Sequence, residues 1–342
     1  MPKSTEEEIF LDNVRRLAAG KLVSTMFELA LKLEVFAKLK EKRVSMKELG
    51  ALLDLPFFSM RMLAQFLCRE GLLVYKDGTL ANAPAIEKYL SGPTVESRDL
   101  TMILKRNLPV EALKDRLQNP KPLHWYQLRE AGQILYPESL VDANNQENWL
   151  GGFFANNNER RIQWGASLAS RYDFGSHKVL LDVAGASGGW CIGIRQTNPQ
   201  LRCIVFDLPA AREAAEQSIA SAGESESISF ASGSFFEDEL PRGADVALLA
   251  NVLHNWMPED GMIILRKIYD ALPSGGTFVL KEAFFEDDWR GPMEAVFEAF
   301  IMLGEEGRSG WQPSYGEAEE MMAKAGFTGF ERRYDLVLGH KP

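Results

Sequence analysis

Residues 179–207 read VLLDVAGASGGWCIGIRQTNPQLRCIVFD, and the fold is read outward from them. Val179, Leu180 and Leu181 are an apolar run of the kind that makes a buried strand, ending at Asp182. AGASGG follows at 184–189, with no side chain larger than a serine hydroxyl. An amphipathic segment runs from about Trp190 to Gln196, and a second apolar run, Cys203 to Phe206, closes on Asp207. This is a strand, a small-residue loop opening a helix, and a second strand ending in a carboxylate. Small residues let a nucleoside-like ligand approach the backbone, N–H groups at the helix start meet its polar atoms, and a carboxylate takes two ribose hydroxyls. Nicotinamide, flavin and S-adenosylmethionine cofactors are all served by this pattern, so the loop alone leaves the choice open.

Beyond Asp207 the alternation continues. The pattern predicts a helix over Ala210–Ala222, strands over Ile228–Ala231 and Val246–Ala250, and a helix over Glu259–Leu272 ended by Pro273 and the Gly275-Gly276 turn. A strand over Thr277–Lys281 stops at Glu282. Helices over Met293–Leu303 and Tyr315–Ala325 precede edge strands at Phe330–Tyr334 and Leu336–Leu338. The expectation is an α/β fold: a doubly wound Rossmann-like parallel sheet with an antiparallel edge.

Upstream, residues 5–39 carry a helical apolar repeat (Phe10, Val14, Leu22, Met26, Leu29, Leu33, Phe36) broken near Gly20. Ser45–Leu53 predicts a helix capped by Ser45 with Glu48 at its third position, and Ser59–Glu70 a second helix capped by Ser59. Leu72–Tyr75 and Thr79–Asn82 flank Lys76-Asp77-Gly78 as a hairpin. Helices and a two-stranded wing predict an N-terminal winged-helix domain over 1–100. A DNA-reading helix exposes Arg, Lys, Asn or Gln, whereas Met60–Cys68 offers only Arg61 and Gln65 among apolar residues. Dimerisation is the reading for this domain, which makes the protein a homodimer. Residues 101–172 form a helical linker rich in Trp125, Tyr126, Trp149, Phe153, Phe154 and Trp164, with Asn156-Asn157-Asn158 among them. Aromatics beside amides suit either an organic-substrate pocket or an ordinary helical interface. Residues 173–342 are the catalytic domain.

Composition bounds the partners. The 342 residues carry a net charge of −10, and the first hundred are nearly neutral, which excludes a basic nucleic-acid-binding surface. Cys68, Cys191 and Cys203 sit in apolar surroundings without ligand spacing, as reduced cysteines of a cytoplasmic protein do. The start, MPKSTEEEIF, lacks the apolar stretch of a signal peptide. No run reaches the ~18 to 20 apolar residues that span a bilayer, so no membrane partner is expected. The histidines show no metal-ligand spacing, and no metal is expected.

Ligands of such sheets bind beyond the carboxyl ends of the strands. There lie Gly185–Gly188, Asp207, Gly233 to Phe235, His254 and Glu282. A neutral imidazole with a pKa near ~6.5 takes a proton from a phenol or similar group, and Glu282 is placed to orient it.

The chain resembles the S-adenosylmethionine-dependent small-molecule O-methyltransferases, the family of plant caffeate and flavonoid enzymes and of bacterial polyketide and antibiotic tailoring enzymes. The resemblance rests on Phe206-Asp207-Leu208-Pro209, on Leu253-His254-Asn255-Trp256 and on Ala325-Gly326-Phe327, and it covers nearly the whole length. It implies S-adenosylmethionine held by Asp182, Gly185, Ser187, Gly188, Asp207, Leu208, Gly233, Ser234, Phe235 and Asn251. It implies His254 as general base supported by Glu282, with Gln312 at the place of a second glutamate. It implies an intertwined dimer and a small aromatic or polycyclic acceptor, for which Trp149, Phe153, Asn157, Trp256 and Met302 are the pocket candidates. Ala184 and Ala186 replace two glycines of the family's DVGGG-G loop, Ser234 and Asn255 replace aspartates, and Ala250 stands where a cation often lies. Nitrogen or carbon methylation, or a tailoring reaction without methyl transfer, is the alternative these departures leave. A nicotinamide-dependent dehydrogenase and a winged-helix regulator rank behind.

Overall fold

The structure, a computed structural model, describes residues 14, 20–92, 158–292, 295–296 and 312–342. Trp149, Phe153, Asn157 and Met302, most of the 101–172 linker and nearly all of the helix expected at 293–303 lie outside the described residues. The chain divides into two compact units, Met1–Asn107 and Leu108–Pro342.

The first unit comprises helices α1 (Gly20–Lys32), α2 (Val35–Lys38), α3 (Met46–Leu53), α4 (Phe57–Arg69) and α5 (Pro84–Tyr89), with strands β1 (Val44–Ser45), β2 (Leu73–Lys76) and β3 (Thr79–Asn82). The Ser45–Glu48 capping box closes the start of α3 as the sequence predicts. Ser59 does not cap α4. That helix begins at Phe57 with Pro56 as its N-cap, because proline holds the entering backbone and its carbonyl already accepts the Met60 N–H at 2.9 Å. The wing has three strands rather than two, in the order β1-β3-β2, since Val44 and Ser45 pair with Leu80 and Thr79. Met60, Leu63 and Leu67 of α4 face the core with Phe36, Leu49 and Leu80, while Arg61, Met62 and Gln65 are exposed.

In the second unit, α6 (Asn158–Ala169) precedes β4 (Val179–Val183), α7 (Gly189–Arg195), β5 (Arg202–Asp207), α8 (Arg212–Ser221) and β6 (Ile228–Ser232). Then come β7 (Val246–Ala250), α9 (Pro258–Ala271), β8 (Thr277–Lys281), α10 (Tyr315–Ala325), β9 (Thr328–Arg333) and β10 (Leu336–His340). The seven strands lie in the order β6-β5-β4-β7-β8-β10-β9. The first five are parallel, β10 is antiparallel to β8 and β9 to β10. Alternation along each strand feeds two cores. Leu181, Val183, Leu249 and Phe278 pack with Ile264, Ile268, Ala318 and Met322 of α9 and α10 on one face. Leu180, Val205, Leu248 and Val279 pack with Leu168, Ile194 and Ile219 of α6, α7 and α8 on the other. The order of strands reverses between β4 and β7, so the loops leaving these two neighbours flank the crevice where such sheets bind ligands.

Candidate active site

The small-residue loop is fastened from three sides. Ala184 N–H donates to Phe206 O at 2.8 Å and Gly188 N–H to Gly185 O at 2.9 Å, while Ala186 N–H reaches Asp207 Oδ2 at 2.7 Å. The Leu208 N–H occupies Asp207 Oδ1 at 2.7 Å, so the half-buried carboxylate at the end of β5 is fixed before any ligand meets it. Ala184 and Ala186 both hold left-handed backbone, at φ 58° and 51°, and Gly188 joins them at φ 77°. The two alanines therefore occupy the conformation that glycine would adopt without cost. Gly185 is required for a different reason: a β-carbon there would lie 2.6 Å from Asp182 Oδ2 and 2.9 Å from Val205.

Asp182 is buried at 1% exposure and touches Cys191 Sγ at 3.5 Å. Burial pushes its pKa up to about 7, and the Cys191 contact only partly offsets that. Burial also raises the pKa of Asp207, against the pull of the Leu208 and Ala186 N–H bonds.

Helix α6, from the segment read as a linker or pocket wall, lies against this side of the loop. Ser187, buried, donates to Asn158 Oδ1 at 2.7 Å, and Asn158 Nδ2 donates to Ser218 Oγ at 2.7 Å. The same helix carries Arg161, whose pKa burial lowers to about 10 while Asp207 and Asp182 draw it back up. α6 reaches so close because glycines face each other. A β-carbon on Gly193 would lie 2.0 Å from Ile162 O, and one on Gly165 would lie 2.4 Å from Trp190 O. Asn158 belongs to the run of amides offered for a pocket, whereas Arg161 is not legible as a site residue in the run NNNERR.

Beyond Asp207, Gly233 N–H donates to Asp207 O at 3.0 Å, and a β-carbon on Gly233 would meet the Phe206 ring at 2.7 Å. Ser234 turns its N–H to Asp238 Oδ2 at 2.8 Å, so an aspartate four residues on serves that turn. Phe235 packs edge-on against Phe236 and Trp256, with ring centroids 4.7 and 5.6 Å apart. Trp256 is 3% exposed within this cluster.

On the other side of the crevice stands the imidazole. His254 lies in a short 3-10 turn, Leu253–Asn255, and is 8% exposed. Its Nδ1 is 2.6 Å from Oε2 of Glu282, which is wholly buried at the end of β8. The other oxygen, Oε1, accepts N–H bonds from Val252, Leu253 and His254 at 3.0, 2.8 and 3.4 Å. One carboxylate thus fixes both the turn and the ring. Asn251, at φ 55°, donates its N–H to Lys281 O and accepts from Lys281 Nζ at 2.8 Å. Lys281 brings a cation to the β7 end, where Ala250 has none. Gln312 donates Nε2–H to Ala283 O at 2.9 Å, and its buried Oε1 has no partner. Among the described residues no cluster of His, Cys, Asp or Glu could hold a metal ion, and no helix is long and apolar enough to cross a membrane.

A doubly wound sheet with a small-residue loop and carboxylate at one pair of strand ends, and a carboxylate-held imidazole at the next, defines a Rossmann-like domain of the methyltransferase class. A profile of the O-methyltransferase domain matches residues 117–328, and the chain belongs to that family. It is 35% identical over 162 residues to 3-hydroxy-5-methyl-1-naphthoate 3-O-methyltransferase of Streptomyces sahachiroi, covering 47% of this chain and 46% of that protein. It is 31% identical over 161 residues to L-tyrosine C(3)-methyltransferase of Streptomyces lavendulae, covering 47% of this chain and 44% of that one. The chain thus spans about half the length of these curated relatives. The S-adenosylmethionine-dependent methyltransferase SibL, in its apo form, shares the fold at a TM-score of 0.74 and 23% identity, covering 97% of this chain and 99% of that chain.

Proposed function

We propose that the protein transfers a methyl group from S-adenosylmethionine to a hydroxyl of a small aromatic or polycyclic acceptor. The observation that carries this is the His254–Glu282 pair, held at 2.6 Å across the crevice from the loop and Asp207. The residues present fit the cofactor. Asp207 is pre-oriented for ribose hydroxyls, and Gly185 lets the loop lie close on Asp182 and Val205, where a β-carbon would clash. Asp182, Ser187 and Gly188 line the loop, Leu208 follows the ribose carboxylate, Gly233, Ser234 and Phe235 flank the adenine side, and Asn251 closes the β7 end. When bound, S-adenosylmethionine supplies a methyl group already activated on a sulfonium.

The chain's own work is positioning and proton removal. His254 takes the acceptor's proton at Nε2, Glu282 fixes the tautomer and balances the imidazolium, and the turn at 252–254 holds the ring in line. Gln312 lends no charge to this pair, and its Oε1 is available to a donor on the acceptor. The naphthoate methyltransferase among the relatives supports a fused aromatic acceptor. Carbon methylation is the second reading. The neutral Gln312 and Asn255 favour it, as does the tyrosine C(3)-methyltransferase relative.

Homodimerisation through the first unit is part of the proposal, supported by Leu29, Phe57 and Met62, which it exposes. A cytosolic setting is supported by three unpaired cysteines, two of them buried. Calorimetric titration with S-adenosylmethionine and with NADH tests the reading, followed by mass spectrometry of a naphthol panel incubated with the former. S-adenosylmethionine binding and a mass gain of one methyl group on oxygen are expected. Preferential NADH binding, or binding of neither, overturns it.

A further inference from the structure

Two consecutive residues at the end of β8 hold the chain where it leaves β7. Glu282 takes the N–H groups of 252–254 and the His254 ring. Lys281 takes Asn251, the residue just before them, by two bonds. Its carbonyl accepts the Asn251 N–H at 2.9 Å, and its ammonium donates to Asn251 Oδ1 at 2.8 Å. Asn251 stands at φ 55°, a left-handed conformation that asparagine tolerates but does not prefer. Here the straight run of β7 gives way to the turn at 253–255, so the backbone angles of Asn251 set the direction in which the imidazole points. Asn255 Nδ2 reaches back to Asn251 O at 3.5 Å and closes the same bend.

The ammonium is itself anchored. The Lys281 side chain is only 15% exposed, and Asp335 Oδ2 lies 3.8 Å from its Nζ. Asp335 also pairs with Arg171, just past the end of α6, and its carbonyl accepts the Glu282 N–H at 3.1 Å. Trp164 of α6 lies over the ammonium, with its ring centroid 5.9 Å from Nζ. A lysine held this way gives up solvation and rotamer freedom, and binding, proton removal and cofactor contact as described give it no task. We propose that Lys281 is a positioning residue for the reaction. It locks Asn251 in the left-handed form and so aims His254 at the acceptor, while Asp335 and Arg171 keep the ammonium in place. This rests on the reading of His254 as the general base.

Hydrogen exchange on the full chain tests the clamp without any acceptor. Lys281→Met keeps most of the stem and removes the ammonium. Exchange of a peptide spanning 251–256 then speeds up at least about tenfold, while peptides from β7 and α9 keep their wild-type rates. Unchanged exchange over 251–256 overturns the proposal. So does acceleration spread through β7 and α9, because it makes Lys281 an ordinary support of the sheet. Asn251→Gly removes Oδ1 and permits the same φ, so adding Lys281→Met to it alters the 251–256 rate by less than about twofold. A full second increment overturns the link through Asn251. Steady-state kinetics on the best acceptor of the naphthol panel gives a further reading. In Lys281→Met kcat falls about 10- to 100-fold, the loss expected of a base displaced by about 1 Å, while KM and S-adenosylmethionine affinity stay within about threefold. Wild-type kcat in that variant rejects the clamp alone. His254→Ala that keeps its turnover rejects the base, and the clamp with it.

Discussion

The backbone N–H of Ala186 is bonded to the carboxylate of Asp207 at 2.7 Å while Ala186 itself stands in left-handed conformation at φ 51°. The loop is therefore strained at the residue that positions the Asp207 carboxylate. An alanine in this region costs about 1–2 kcal/mol, and glycine returns about 0.5–1 kcal/mol of that as extra freedom when unfolded. Ala186→Gly raises the melting midpoint by up to about 4 °C. Ala186→Val lowers it, because a β-branched residue resists this φ and the site is buried beside Ala211. Differential scanning calorimetry of the two variants gives opposite signs.

Asp182 makes stability depend on pH in an unusual direction. Its folded pKa, about 7, is higher than that of an unfolded aspartate, so between these values the folded chain holds a proton that the unfolded chain has lost. Its contribution therefore falls as pH rises from about 4 to about 7, by at most about 4 kcal/mol, and is level above that. Asp182→Asn removes this slope. The midpoint of the variant minus that of wild type grows between pH ~4 and ~7 and is constant at higher pH. A constant difference across the whole range contradicts the assignment.

For His254→Ala, turnover falls by about 100- to 10,000-fold while cofactor affinity is retained. Glu282→Gln is nearly as damaging. Its amide oxygen can keep the three backbone N–H bonds at 252–254, but its NH2 must then donate to Nδ1 and place the ring proton on Nε2. The acid limb of the wild-type pH–rate profile disappears in His254→Ala. Retention of that limb in the variant assigns the base elsewhere.

The glycine contact between α6 and α7 has no slack. Gly193→Ala puts a methyl group 2.0 Å from Ile162 O, against backbone that cannot rotate aside. The cost is about 3 kcal/mol, or about 6–12 °C in midpoint. Gly223→Ala is a poor control despite its open space, because its φ is +72°. Gly20→Ala, with nothing among the described residues within 4 Å and ordinary φ, is the neutral comparison.

Much of the second unit was legible because a parallel sheet buried on both faces writes its strands as uninterrupted apolar runs. Val246–Ala250 and Thr277–Lys281 have the bounds their runs predict, and the residues past their ends, His254 and Glu282, do meet. Arg161 was illegible for the opposite reason. A polar run at a helix start reads as a solvated face, and only the contact of Gly165 with Gly193, remote in sequence, turns it inward. Ser59 misled because serine before an apolar repeat signals a cap, while Pro56 starts the helix earlier.

The meeting of Gly165 and Gly193 also sets where this chain can be cut and rejoined. Two surfaces that touch without side chains between them fit each other and little else, so residues 158–195 pack as one piece. A chimera that imports a foreign acceptor pocket should carry its seam before Asn158. A seam placed between α6 and α7 parts a matched pair, and takes with it the Asn158–Ser187 link that holds the loop to its neighbour helix.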